Sequence, residues 1–189
     1  KDINESNITV SIHVSNFVHA RGGLWKAPVL DTRDGILKTE KFELILNSTI
    51  FGICLIIALY HFVLFVQRRE DRASLFFGGL CFFVSVRGCL TSYLPQELGL
   101  EADYTVLLSL EYMSLPFCVM AVGLFVQVMV PDRNFSRFVG ICCVSFGAIL
   151  VMVVTFAPVL VFTGSLPLIK LHLALGSAVV VLHTCRHAM

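Results

Sequence analysis

The chain has 189 residues, 57% hydrophobic and only 14% charged, with a mean hydropathy of +0.84 and a net charge of +1. A soluble domain carries roughly a quarter charged residues, so the composition argues against a water-soluble enzyme or binding module. Without a clustered basic face it also argues against a nucleic-acid partner.

Charge is unevenly distributed: residues 1–43 hold twelve charged side chains, whereas residues 44–189 are dominated by long apolar runs. The chain opens at Lys1 without an initiator methionine or signal peptide and stops at Met189 just after an apolar run, so a fragment of a longer protein is expected.

In chain order, residues 8–15 alternate strictly, with Ile8, Val10, Ile12 and Val14 on one side and Thr9, Ser11, His13 and Ser15 on the other. Period two is the pattern of a half-buried strand. Gly22-Gly23 follows, and residues 24–30 form a returning strand, with Pro28 suited to an edge. Two strands do not make a stable sheet alone, so residues 1–30 read as the last strands of a β domain that begins before this segment. Residues 31–43 form a charged connector.

Five apolar runs follow, at about 44–66, 73–94, 105–130, 138–162 and 168–185. At ~1.5 Å per residue the first spans the ~30 Å hydrocarbon core of a bilayer. A series of such runs needs helices, because an open strand leaves its backbone unsatisfied in lipid. The fold class is therefore an all-α polytopic membrane helix bundle, preceded by a β hairpin, with the bilayer as its first partner.

The loops set a direction. Residues 67–72 carry three arginines, 131–137 carry two, and Arg186 follows the fifth run, whereas 95–104 carries Glu97, Glu101 and Asp103 with no Lys or Arg. By the positive-inside rule the arginine loops are cytoplasmic. Arg33, Lys38 and Lys41 oppose this from the other side, but a folded exported domain crosses regardless of its charge. An inner-membrane protein with its N-terminal segment outside is expected.

Two ionisable residues stand out inside the runs. Arg87 and Glu111 each lie about seven residues from the outer end of their helix, ~10 Å deep. Charges at such depth pair or face a polar cavity, so an Arg87–Glu111 ion pair between the second and third spans is expected. Pro116 follows Glu111 and should kink that helix. His61, beside Tyr60, sits near the inner end of the first span, too far from Glu111 for a joint catalytic role, and Lys170 snorkels to the outer headgroups.

The seven cysteines lack metal-type spacing and read as small apolar residues. His172, His183 and His187 share no helical face with a carboxylate, so no metal site is expected. No catalytic triad, phosphate loop or nucleotide fingerprint is present. No enzyme activity and no cofactor are therefore expected of this segment.

The order of these features resembles one bacterial family, the seven-transmembrane receptors with diverse intracellular signalling modules (7TM-DISM). Residues 8–25, with Asn16-Phe17 and then Gly22-Gly23, are similar to the close of that family's extracellular jelly roll, a β-sandwich. Residues 52–90 are similar to its first two helices: the Tyr60-His61 pair, an arginine-bearing turn, Ser74-Leu75-Phe76-Phe77 and Arg87. Glu111-Tyr112 fits the third.

The resemblance implies a transmembrane sensory receptor. A small-molecule ligand, proposed to be a carbohydrate, would bind outside, and a kinase, cyclase or phosphatase module would act in the cytoplasm. A homodimer is a further expected partner. The competing reading is a transporter or channel, which needs polar residues lining a path or broken helices near the midplane.

Overall fold

A computed structural model of the chain describes residues 11–13, 28–92, 94–97, 99 and 103–188. All regular structure among them is helical: α1 (Arg33–Gln67), α2 (Arg72–Thr91), α3 (Leu94–Glu97), α4 (Tyr104–Met129), α5 (Arg133–Phe156), α6 (Val159–Gly164) and α7 (Leu166–Ala188). Five helical spans are long and apolar enough to cross a membrane, the fifth counting α6 and α7 together. The protein is an integral membrane helix bundle. Of the strands expected over 8–15 and 24–30, residues 11–13 and 28–30 are described and carry no regular structure, and the rest lie outside the described residues.

The connector differs from its expected form, because α1 begins at Arg33. Thr32 caps it, its hydroxyl accepting from the Gly35 N–H at 3.2 Å, and Asp34 lies in the first turn. An acidic residue there complements the helix dipole. From Ile36 to Phe51 no Gly or Pro interrupts the chain. The stretch 33–43 therefore extends the first span without a break, and its eleven residues add about 16 Å of helix at ~1.5 Å per residue.

Aspartates begin the next spans. The Asp71 carboxylate accepts from the Ser74 N–H at 3.3 Å and from the Ser74 hydroxyl at 2.6 Å. Asp103 accepts from the Thr105 N–H at 3.1 Å, and Asp132 from the N–H groups of Asn134 and Phe135 at 3.0 and 3.2 Å. Each satisfies donors that the first turn leaves without acceptors. The Asp71 side chain, hydrogen-bonded first by the Ser74 hydroxyl and next by its N–H, is held below the usual carboxylate range.

Two expected spans are divided differently. The second stops at Thr91, and α3 is a separate turn from Leu94 to Glu97. The run 138–162 is not one helix: α5 starts earlier, at Arg133, and ends at Phe156. Pro158 has no N–H to give and holds Ala157 in an extended conformation, at φ −87° and ψ 151°. The chain restarts as α6 and continues after Ser165 into α7, where Pro167 falls in the first turn and costs no intrahelical bond. By contrast, α4 runs through Pro116 without ending.

Helices α1, α2, α4 and α5 pack in chain order. A tight seam joins α4 to α5. A Cβ at Gly123 would strike the Cys143 side chain, and one at Gly147 would strike Met120 and lie 3.1 Å from the Pro116 carbonyl oxygen. Small residues that let backbones approach are how helices associate in lipid, where apolar burial drives little. Val119, Val139, Cys143 and Leu150 fill this seam, joined by Ile169 of α7. A second cluster sets Phe162 of α6 against Tyr112 of α4, with ring centroids 5.3 Å apart. Exposed Ile53, Ile56 and Val63 of α1 and Leu171, Leu175 and Leu182 of α7 belong to the surface that meets lipid.

Candidate functional site: an ion pair inside the apolar bundle

The loops divide the bundle into an arginine end, with residues 68–72, 131–133 and 186, and an acidic end, with residues 92, 94–97, 99, 103 and 157–158 among those described. Helix α2 rises from the first to the second, and α4 descends beside it. Three matched contacts join the two helices. Phe77 meets Phe125 at 5.6 Å near the arginine end, and Phe83 stacks on Phe117 at 4.8 Å and 14°. Toward the acidic end Arg87 meets Glu111.

The Arg87 Nη2 lies 3.2 Å from Glu111 Oε1, and Nη1 donates to the Glu111 backbone carbonyl, also at 3.2 Å. That carbonyl accepts the Ser114 hydroxyl too, at 2.6 Å. One guanidinium thus engages a carboxylate and a backbone oxygen on the same residue, which suits its planar fork and would not suit an ammonium. Both side chains are largely covered, at 27% and 19% exposed.

With α2 ending at Thr91, Arg87 lies four residues from its helix end, about 6 Å. Glu111 is seven residues from the start of α4, about 10 Å. The long arginine side chain covers the difference, so the equal depths expected from the sequence are not needed for contact. The pair closes the α2–α4 seam at the depth where a lone charge is costly. Ser85, 2% exposed, donates from its hydroxyl to the Phe51 carbonyl of α1 at 3.1 Å. Residues 85 and 87 are about 200° apart around the helix, so α2 holds α1 with one and α4 with the other.

The remaining expected positions are elsewhere. Asn16, Phe17, Gly22 and Gly23 lie outside the described residues. Tyr60 is exposed, and its ring meets His61 edge-on at 5.4 Å. His61 packs edge-on to Phe77 at 4.7 Å, and its Nδ1 is buried without a hydrogen-bond partner. It lies six residues from the arginine end of α1, at the opposite end from Glu111. Nothing brings His61 and the ion pair together. Among the described residues no group of three or more His, Cys, Asp or Glu side chains could hold a metal ion.

The sequence reading missed a second polar contact. His183 of α7 has no carboxylate on its own helix, but Asp132, from the loop before α5, comes within 3.5 Å of its Nε2. The two residues are 51 positions apart, and no local pattern links them.

Directional contacts thus join α1 to α2 and α2 to α4, whereas α4 meets α5 through small and apolar residues. Neither the curated proteins nor the solved structures contain a match to the chain. The family model for 7TM diverse intracellular signalling matches residues 43–188, covering all five spans from the membrane part of α1 to the end of α7. The resemblance noted in residues 52–90 and at Glu111-Tyr112 is thereby borne out, while residues 8–25 lie outside the match: the chain belongs to the 7TM diverse intracellular signalling family of membrane signalling proteins.

Proposed function

We propose that this chain is the membrane part of a sensory receptor, and that α1 carries the signal into the bundle. The observation that carries the reading is the unbroken helix from Arg33 to Gln67. A flexible connector would absorb motion, whereas about 16 Å of continuous helix beyond the span passes rotation or translation into the α1–α2 seam. There the Ser85 hydroxyl and then the Arg87–Glu111 pair hand it to α4.

In this reading the N-terminal segment closes an extracellular β domain of the jelly-roll kind, which binds a small molecule such as a carbohydrate. The arginine end faces the cytoplasm across the inner membrane, where an output module responds. The ligand acts by population shift, binding one of two bundle packings more tightly. The bundle itself performs no catalytic step.

The test uses the full-length protein in lipid nanodiscs. A panel of sugars should raise its thermal midpoint, and the active sugar should change a spin-label distance at the arginine end. One alanine inserted between Thr39 and Glu40 rotates the projecting helix by about 100° and should abolish that distance change while leaving binding intact. Seven alanines return the phase to within about 20° and should restore it. Restoration absent at seven, or a response indifferent to every insertion, would refute coupling through α1. Solute flux through proteoliposomes at transporter rates, with no response to any sugar, would favour a transporter.

A further inference from the structure

Two kinds of seam hold this bundle. Between α4 and α5 glycines bring backbones together, and Gly123 and Gly147 leave no room for a Cβ. Helix α7 instead touches α5 through long side chains. His172 stacks on Phe146 with centroids 4.1 Å apart at 14°, and His183 stacks on Phe135 at 3.6 Å and 9°. Both pairs are spaced by eleven residues, about three turns. Because α5 and α7 run in opposite directions, the two stacks are rungs of one ladder.

The ends of α7 are held unequally. At the acidic end α6 is wedged into the core, with Phe162 and Thr163 each 2% exposed, and Ile169 in the first turn of α7 is equally buried. That end is fixed through packing. The arginine end is held by the His183 stack, by its Nε2 near Asp132, whose other oxygen caps α5, and by partly buried Val180 against the core. Beyond Val180 the described residues Val181, Leu182, Thr184, Cys185 and Arg186 are all exposed.

We propose that α7 is the moving arm of the bundle: it pivots at its acidic end on the buried Phe162–Ile169 corner and is clasped at its arginine end by His183 on Phe135 and Asp132. Opening the clasp swings the end of α7 that faces the same side as the arginine loops, while the glycine-tight α4–α5 seam stays still. A stack is suited to this, because it is lost or remade as a unit and leaves no backbone group unsatisfied. The purpose of the motion rests on the receptor reading, but its geometry does not.

The experiment needs no ligand and no output. Spin labels on non-canonical residues in the full-length protein, in nanodiscs, leave the cysteines in place. One pair sits at the arginine end, Val128 with Leu182, and one at the acidic end, Val106 with Leu168, all four being exposed. His183→Ala and Phe135→Ala should each add a population about 5 Å or more longer to the first pair, the scale of a one-turn displacement. The second pair should not change. His183→Phe keeps the stack and should stay closer to wild type than His183→Ala.

Should His183→Ala fail to insert, His183→Leu keeps the bulk without the stack and gives the same reading. An unchanged first pair in both truncations would overturn the clasp, and equal broadening of both pairs would overturn the pivot. A swinging α7 in a protein that answers no sugar would remove the receptor reading alone. A sugar response with a rigid α7 would remove only the arm.

Discussion

Removing one partner of the Arg87–Glu111 pair is the sharpest test of the α2–α4 seam. Glu111→Leu leaves the guanidinium with only the backbone carbonyl at 3.2 Å. Breaking a fully buried pair costs about 3–5 kcal/mol. Here the side chains are 27% and 19% exposed, and Arg87 is close enough to its helix end to snorkel. Discounting for both suggests about 2–3 kcal/mol, or roughly 30- to 150-fold in the folding equilibrium at ~1.4 kcal/mol per decade.

Arg87→Met strands the carboxylate deeper, at about 10 Å, and should cost at least as much. The double variant Arg87→Met/Glu111→Leu removes both charges and should recover most of the loss, as apolar replacement of buried ion pairs often does. Reversible unfolding in bicelles, read as a double-mutant cycle, should therefore give a coupling energy of about 1.5 kcal/mol or more. Polar contacts between membrane helices average only about 0.6 kcal/mol, so a coupling at or below that value would refute the reasoning. The charge-swapped protein, Arg87→Glu/Glu111→Arg, should regain part of the coupling, though the carbonyl contact is lost.

Gly147→Leu should cost about 2 kcal/mol or more, because its new side chain meets Met120 and the Pro116 carbonyl. Gly52→Ala should be neutral or stabilise by up to about 1 kcal/mol, since nothing lies within 4 Å of a Cβ there and Gly is the poorer helix former; both are read by the same unfolding assay. The Asp71 cap makes a pH-dependent contribution. A carboxyl held below its usual value stabilises the fold above that usual value and loses the effect as pH falls through the lowered one. Thermal midpoints taken from pH 6 down to pH 2 should thus fall further for wild type than for Asp71→Asn, and parallel curves would refute the cap's role.

Much of the bundle was legible because a bilayer demands long apolar helices and the runs are long. Arg87 and Glu111 were legible for the same reason, since an ionisable residue in an apolar run is conspicuous. The breaks were harder to see. Pro158 divides the fourth run while Pro116 does not end α4. Pro116 is fully buried in the α4–α5 seam, whereas Ala157 at the acidic end is free to turn extended. The helical connector was missed because residues 33–43 have no apolar period to read, although Thr32 and Asp34 mark its start.

By itself, then, the sequence determined that this is a membrane bundle and which two charges are costly enough to need partners. Lipid as a solvent imposes those features on any chain of this composition. Only the tertiary structure decided that Arg87 also holds the Glu111 backbone, that glycines close α4 on α5, and that α7 is held by two His–Phe rungs and Asp132. Asp132 and His183 are 51 residues apart, and which faces of two apolar helices meet depends on side-chain volume and backbone approach rather than on hydropathy.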